Sequence, residues 1–264
     1  MKLLNFVEMK PKAAIIFSPG INRDQETSYA LSKAGADFEI IQLIELEKKE
    51  KRLDDFQILF CPGGFSYGDD VMSAKIWASK SLAHFHDQLQ KFINEDKLVI
   101  GICNGFQFLI RTGLLPFAHI GQIEATLTHN ASNHFECRWV NMKVEKSNCV
   151  FTQGLEEKIF RMPTAHCEGR FLAPKETLQK IKDQNQIVFR YVDENGNPTQ
   201  NYPINPNGST DAIAGLCSPN GKIMGLMPHP ECNSKKNHHP DWNIEGREGG
   251  ECLKIFENAV KYFK

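Results

Sequence analysis

The stretch LVIGICNGFQFLI, residues 98–110, decides the fold class. Its first five residues form an unbroken apolar run, the pattern of a strand covered on both faces. The run then breaks directly into what reads as a helix opening at Asn104, with Cys103 at the junction between Gly101 and Gly105. This is the G-x-nucleophile-x-G spacing of a nucleophile elbow, with cysteine in place of serine. The two glycines relieve crowding in a sharp strand-to-helix turn. The central residue can then hold a strained backbone and present its side chain at the carboxyl edge of a sheet. A helix opening at Asn104 would aim unpaired N–H groups and the positive end of its dipole at the sulfur, favouring thiolate and offering amides to an oxyanion. Taken alone, G-x-C-x-G is equally compatible with a structural cysteine between close-packed glycines.

Upstream, Ala13–Phe17, Phe38–Leu43 and Gln57–Cys61 read as further apolar strands. A helix of about three turns separates the first two and stops near Gly35, and another covers Ser79–Asn94. Strands alternating with helices predict an α/β fold, a mostly parallel central sheet with helices on both faces. After Gly113 the texture changes. The runs IGQIEATLTHN (120–130), FECRWVNMKV (135–144), RFLA (170–173), IVFRYV (187–192) and KIMGLM (222–227) suggest antiparallel strands, and only Lys175–Asp183 and Glu248–Tyr262 look helical. The loop Asp193–Thr210 is turn chemistry between strands, so a single domain over 1–264 is expected.

The composition bounds the function. Lys and Arg number 31 against 32 Asp and Glu in 264 residues, a formal charge of −1, so nothing argues for nucleic acid or a membrane surface as partner. The opening MKLLNFVEMKPK is too short and interrupted for a signal peptide, and no apolar segment is long enough to span a bilayer. Eight cysteines with no C-x-x-C pair fit reduced thiols in a cytoplasmic protein.

A cysteine nucleophile needs a base and a group to orient it. GLMPHPE (225–231) supplies His229 and Glu231 just after an apolar run, and side chains two apart in extended chain point the same way. Cys103, His229 and Glu231 are therefore the candidate catalytic triad. A metal reading competes at Cys232, His238 and His239, but their spacing matches no ligand set and no C-x-x-C partner exists, so no metal is expected. CPGGFSYGDD (61–70) follows the third strand; its paired glycines would let an N–H of Gly64 or Phe65 turn outward as an oxyanion donor. By itself it is also an ordinary glycine-rich turn.

Together, GICNGFQ, MPHPE and PGGFSYGDD resemble the triad (class I) glutamine amidotransferases, whose domains have a flavodoxin-like fold. FSPGINRDQET, SAKIWA, HNASNHFECRWV, AHCEGRF and NPNGSTDAIAG extend the resemblance over most of the chain and narrow it to the PurQ family, the glutaminase subunits or domains of phosphoribosylformylglycinamidine synthase in purine biosynthesis. Two departures stand out. His134 occupies a position where the family usually has arginine, and VMSAKIWA (71–78) follows the fused, large form of the enzyme rather than the small-subunit form.

The resemblance implies Cys103 as nucleophile, His229 as general base and acid, and Glu231 as its orienting partner. It places Gly64, Phe65 and Asn104 at the oxyanion hole, and Gln107, His166, Glu168 and Gly169 at the glutamine or partner side. No phosphate loop is present, because GLCSPNGKI (215–223) has the wrong spacing. The chain is thus expected to need no cofactor itself and to pass ammonia to an ATP- and Mg-using synthase subunit (PurL), with a small PurS subunit as a further partner. The open alternatives are a cysteine peptidase or γ-glutamyl hydrolase, a non-catalytic binding module, and a thiol-reactive stress protein on the same architecture.

Overall fold

The structure is a computed structural model that describes residues 10–244 and 249–264. The first nine residues, and with them most of the N-terminal segment examined for a signal, lie outside it. So does Glu248, the expected start of the last helix.

Strands β1 (Lys12–Phe17), β2 (Asp37–Gln42), β3 (Ile58–Cys61) and β4 (Leu98–Ile102) alternate with helices α1 (Asp24–Ala34), α2 (Leu43–Glu47), α3 (Lys75–Asn94) and α4 (Asn104–Thr112). The second half adds β5 (Thr126–Thr128), β6 (Glu136–Val144), β7 (Ile159–His166), β8 (Arg170–Leu172), α5 (Lys175–Asp183), β9 (Ile187–Tyr191), β10 (Ile213–Cys217), β11 (Ile223–Leu226) and α6 (Leu253–Lys261). Nine strands form one sheet in the order β2-β1-β3-β4-β11-β10-β9-β6-β7, and β5 and β8 form a separate ribbon. From β2 to β11 every pairing is parallel; from β11 to β7 every pairing is antiparallel. The parallel half has the 2-1-3-4-5 order of flavodoxin-like sheets, whose ligands lie beyond the carboxyl ends of the strands.

Side-chain alternation explains the two helical layers. On β3, Phe60 stacks on Phe256 of α6 with centroids 5.9 Å apart. Its neighbours Leu59 and Cys61 point the other way, into an apolar layer with Trp77 and Phe85 of α3 and Phe108 of α4. Every residue of β3 and β4 is buried, as period-two burial on both faces demands. Helix α1 ends as its sequence predicts, with Gly35 at φ 93° and its N–H on the Leu31 and Ser32 carbonyls.

The differences from the sequence reading are local. Helix α3 starts at Lys75, four residues before the predicted Ser79. The 120–130 run contributes only the three-residue β5. Strand β7 carries Pro163, which argues against a strand; it is tolerated because β7 is the edge of the sheet, where a missing N–H breaks no ladder. Strand β10 hides in the small-residue run IAGLC, which lacks the β-branched signature.

Candidate active site

Cys103 sits between β4 and α4 with φ 53° and ψ −107°, outside helical and extended space. The elbow is pinned by the Cys103 N–H, which donates to the Leu226 carbonyl of β11 at 2.8 Å. The flanking glycines are required: a Cβ on Gly105 would lie 1.8 Å from the Cys61 carbonyl oxygen, and one on Gly101 2.5 Å from the Gly105 carbonyl oxygen. The turn therefore packs β3, β4 and α4 closer than any side chain allows. The thiol is 4% exposed and donates to the Ala165 carbonyl at 3.7 Å.

Strand β11 runs parallel to β4 with Leu226 opposite Ile102, so the chain leaving β11 emerges beside Cys103. His229 is held there by its N–H, which donates to the Pro163 carbonyl of β7 at 2.8 Å. Its Nδ1 lies 2.6 Å from Oε1 of Glu231, and the Cys103 sulfur is near enough to act on the ring electrostatically. Burial, the largest influence, works to lower the His229 pKa, but the Glu231 carboxylate and the Cys103 sulfur together overcome it and raise the value from 6.5 to about 10. The three predicted triad residues are thus assembled in one buried cluster, with imidazole between sulfur and carboxylate.

The PGG loop approaches from β3, with Gly63 under the His229 ring. The Gly63 carbonyl accepts from Asn22 and Arg23 N–H, and the Phe65 N–H donates to the Gly20 carbonyl at 2.8 Å. Phe65 is therefore corrected as an oxyanion donor, since its only N–H is engaged within the fold. Among the described residues the Gly64 N–H has no acceptor, because Ile21 and Gly64 face each other as a non-hydrogen-bonded bridge pair. The Asn104 N–H, first in α4, is free for the same reason that all helix N-termini have orphan donors.

The remaining predicted residues gather on one side of the thiol. His166 is 2% exposed. Asn130 donates from Nδ2 to the His134 and His166 carbonyls, which leaves its Oδ1 to receive the Gly169 N–H at 3.1 Å and His166 Nδ1 at 3.0 Å. Nδ1 must then carry the proton, and Nε2 is a bare acceptor with no partner among the described residues. Burial and the nearby His229 charge lower the His166 pKa to about 3. Both ends of the Gln107 amide are engaged: Oε1 accepts from Asn104 Nδ2 at 2.9 Å, and Nε2 donates to the Glu168 carbonyl. The Glu168 carboxylate receives the Ser73 N–H at 3.3 Å and pairs with Arg111 at 3.4 Å. His134 is exposed, and its contribution to the site is the carbonyl that orients Asn130.

Sequence reasoning missed Asn130, Asp69, Ser73 and Arg111. Arg111 carried a signal, a cation in the apolar run of α4; the others are loop residues whose partners only the fold reveals. Cys232 joins His229 and Glu231 with ligand atoms within 4.8 Å of one another, the one such grouping among the described residues. His229 Nδ1 there is already bonded to Glu231, so the donor set does not fit a resident metal. A cleft of about 1100 Å³ lies apart from this cluster, along Arg138, Arg161, Asp193 and His239.

The model of the CobB/CobQ-like glutamine amidotransferase domain matches residues 10–263. The chain belongs to this glutamine amidotransferase family. The amidotransferase is 41% identical over 271 residues to a Methanococcus maripaludis protein named phosphoribosylformylglycinamidine synthase subunit PurQ, covering 97% of this chain and 99% of the relative. A Dehalococcoides mccartyi protein of the same name is 43% identical over 255 residues, covering 96% and 98%. Among solved structures, PurLQS from Thermotoga maritima holds a chain that matches the amidotransferase with TM-score 0.75 and 32% identity, over 97% of this chain and all of that one.

Proposed function

We propose that this glutamine amidotransferase is the glutaminase subunit of a phosphoribosylformylglycinamidine synthase, converting glutamine to glutamate and ammonia through Cys103, His229 and Glu231. The observation that carries the reading is the meeting of the Cys103 elbow with the His229–Glu231 pair at the ends of adjacent strands β4 and β11. Cys103 Sγ, its proton already held on the His229 imidazole, attacks the carboxamide carbon. The Gly64 and Asn104 N–H groups receive the oxyanion. His229 then returns the proton to the nitrogen, ammonia leaves, and water activated by the same imidazole hydrolyses the glutamyl thioester. His166, Glu168, Gly169 and Gln107 form the substrate side, with Gln107 acting through its grip on the Glu168 backbone.

The chain works as one domain and carries no phosphate loop, so its ammonia goes to a partner. That partner is an ATP- and Mg-dependent synthase subunit, PurL, which converts formylglycinamide ribonucleotide to formylglycinamidine ribonucleotide, and PurS completes the complex. Phe65 and Phe135, 40% and 46% exposed with rings 6.2 Å apart, rim the oxyanion loop and suit coverage by such a partner. No described helix is long and apolar enough to cross a membrane. The reaction belongs in the cytoplasm, where ATP is available and thiols stay reduced.

The test is glutamine-dependent formation of formylglycinamidine ribonucleotide by this chain mixed with the synthase subunit, ATP and formylglycinamide ribonucleotide. Wild type should support it, and Cys103→Ala should do so only with added ammonium. A wild type that cannot use glutamine while ammonium still drives the synthase would refute the assignment.

A further inference from the structure

We propose that the Asn104 side chain is the strut that fixes the loop bearing Gly64 against the nucleophile helix, and so sets the spacing of the two oxyanion donors. The inference rests on the glutaminase reading above. Asn104 belongs to both walls: its backbone N–H is one donor, while its side chain holds the loop that carries the other. It is 1% exposed, and each of its side-chain bonds is internal. Oδ1 accepts the Ser66 N–H at 3.1 Å, two residues past Gly64. Nδ2 donates to Asp69 Oδ1 and to Gln107 Oε1, each at 2.9 Å.

The loop needs such a restraint. Tyr67, Gly68, Asp69, Val71 and Ala74 all have φ between 53° and 71°, and four of the five carry a β-carbon. Backbone of that kind persists only where its surroundings over-determine it. The outer face supplies little, since Val71 is 82% exposed. The inner face is tied to the 19–23 segment by backbone bonds at Gly63, Phe65 and Tyr67, and to α4 by Asn104 at Ser66 and Asp69 and by Arg111 at Ser73, where Glu168 also binds. Of the ties to α4, only that of Asn104 lies close enough to Gly64 to set the spacing between the two donors. Asn104 is therefore a positioning residue through its side chain, and its loss should raise the barrier to the tetrahedral intermediate rather than weaken substrate binding.

The test uses the complex with the synthase subunit, ATP and formylglycinamide ribonucleotide, comparing wild type, Asn104→Ala and Asp69→Ala. Two quantities are measured: glutamine turnover, and alkylation of Cys103 by iodoacetamide, a displacement at saturated carbon that forms no oxyanion. Asn104→Ala should lower kcat about 100-fold with KM changed less than about threefold, as for loss of an oxyanion donor. Asp69→Ala, which loosens the strut without touching α4, should lower kcat about tenfold, by the same logic of partial misplacement. Alkylation should stay within about twofold of wild type in both, because the elbow that presents the thiol is intact. Unchanged kcat, or alkylation falling in step with kcat, overturns the proposal. If Asn104→Ala does not fold, Asp69→Ala decides by the same criteria. Absence of glutamine turnover in wild type would overturn the glutaminase reading and this inference with it.

Discussion

His229 Nδ1 and Glu231 Oε1 are 2.6 Å apart, and the carboxylate is fully buried while the histidine is 3% exposed. A fully buried carboxylate has its charge screened by little, so it holds the proton on the imidazole. A proton relay through one imidazole gives a bell-shaped pH–rate profile, and its alkaline limb lies high because the His229 pKa is raised to about 10. Glutaminase activity of the complex should therefore persist through pH 8 and 9 and fall as His229 deprotonates and can no longer protonate the leaving nitrogen. Glu231→Gln removes the largest raising influence, so the limb should shift to lower pH and kcat should drop about 100-fold or more, as expected when the base loses its orienting carboxylate. A limb that stays in place in Glu231→Gln would contradict the pairing.

The same pair couples protonation to folding. A histidine whose folded pKa exceeds the unfolded 6.5 adds stability that is complete below pH 6.5 and is lost as pH climbs through about 10. Urea unfolding of wild type should therefore show a loss between those limits that is smaller in Glu231→Gln. Equal slopes in the two proteins would show that His229 gains nothing from the carboxylate.

His166 provides a test that needs no activity. Its Nδ1 hydrogen bond to Asn130 and its pKa near 3 predict a neutral ring with the proton on Nδ1 throughout the physiological range. Nitrogen chemical shifts of the ring in labelled protein report the tautomer directly. Finding the proton on Nε2, or a titration near 6.5, would require a different orientation of Asn130.

The elbow itself predicts a stability effect. Gly105→Ala would place its β-carbon 1.8 Å from the Cys61 carbonyl oxygen, and backbone, unlike a flexible side chain, cannot swing aside. The substitution should destabilise the domain by about 3 kcal/mol or more, the upper range for overpacking a close contact. Thermal unfolding measures it. A change under about 0.5 kcal/mol, the range of neutral surface substitutions, would mean that β3 and α4 are not packed this closely.

Much of this was legible in the sequence for physical reasons. Continuous apolar strands such as Leu98–Ile102 can only be buried on both faces, and the two glycines around Cys103 announce a backbone that tolerates no β-carbon. The meeting of Cys103 with His229 and Glu231 followed because strand ends in one parallel sheet converge. What escaped depends on tertiary contact. No local signal shows that Pro163 lies on an edge strand, that Phe65 gives its N–H to Gly20, or that Asn130 dictates the His166 tautomer. Each is fixed by a partner at least 24 positions away in the chain.

Arg111 and Glu168 join the 166–169 segment to α4 across a 3.4 Å ion pair with side chains only 9% and 8% exposed. Burial lowers the Arg111 pKa, opposed by the charges of Glu168 and Asp69, and the guanidinium is held by Glu168 and by the Ser73 carbonyl, which accepts from Nε at 2.6 Å. Arg111→Leu should fit the apolar helix yet leave Glu168 buried with only the Ser73 N–H, costing about 3 kcal/mol as for a broken buried pair. Glu168→Gln in the same background removes the stranded charge, so the double variant should be more stable than Arg111→Leu alone. Denaturant unfolding of the two single variants and the double completes the cycle, with an expected coupling of about 1–3 kcal/mol. Strict additivity would show that the pair does not fix the 166–169 segment. The Ser73 contact would then be what holds Glu168 in place.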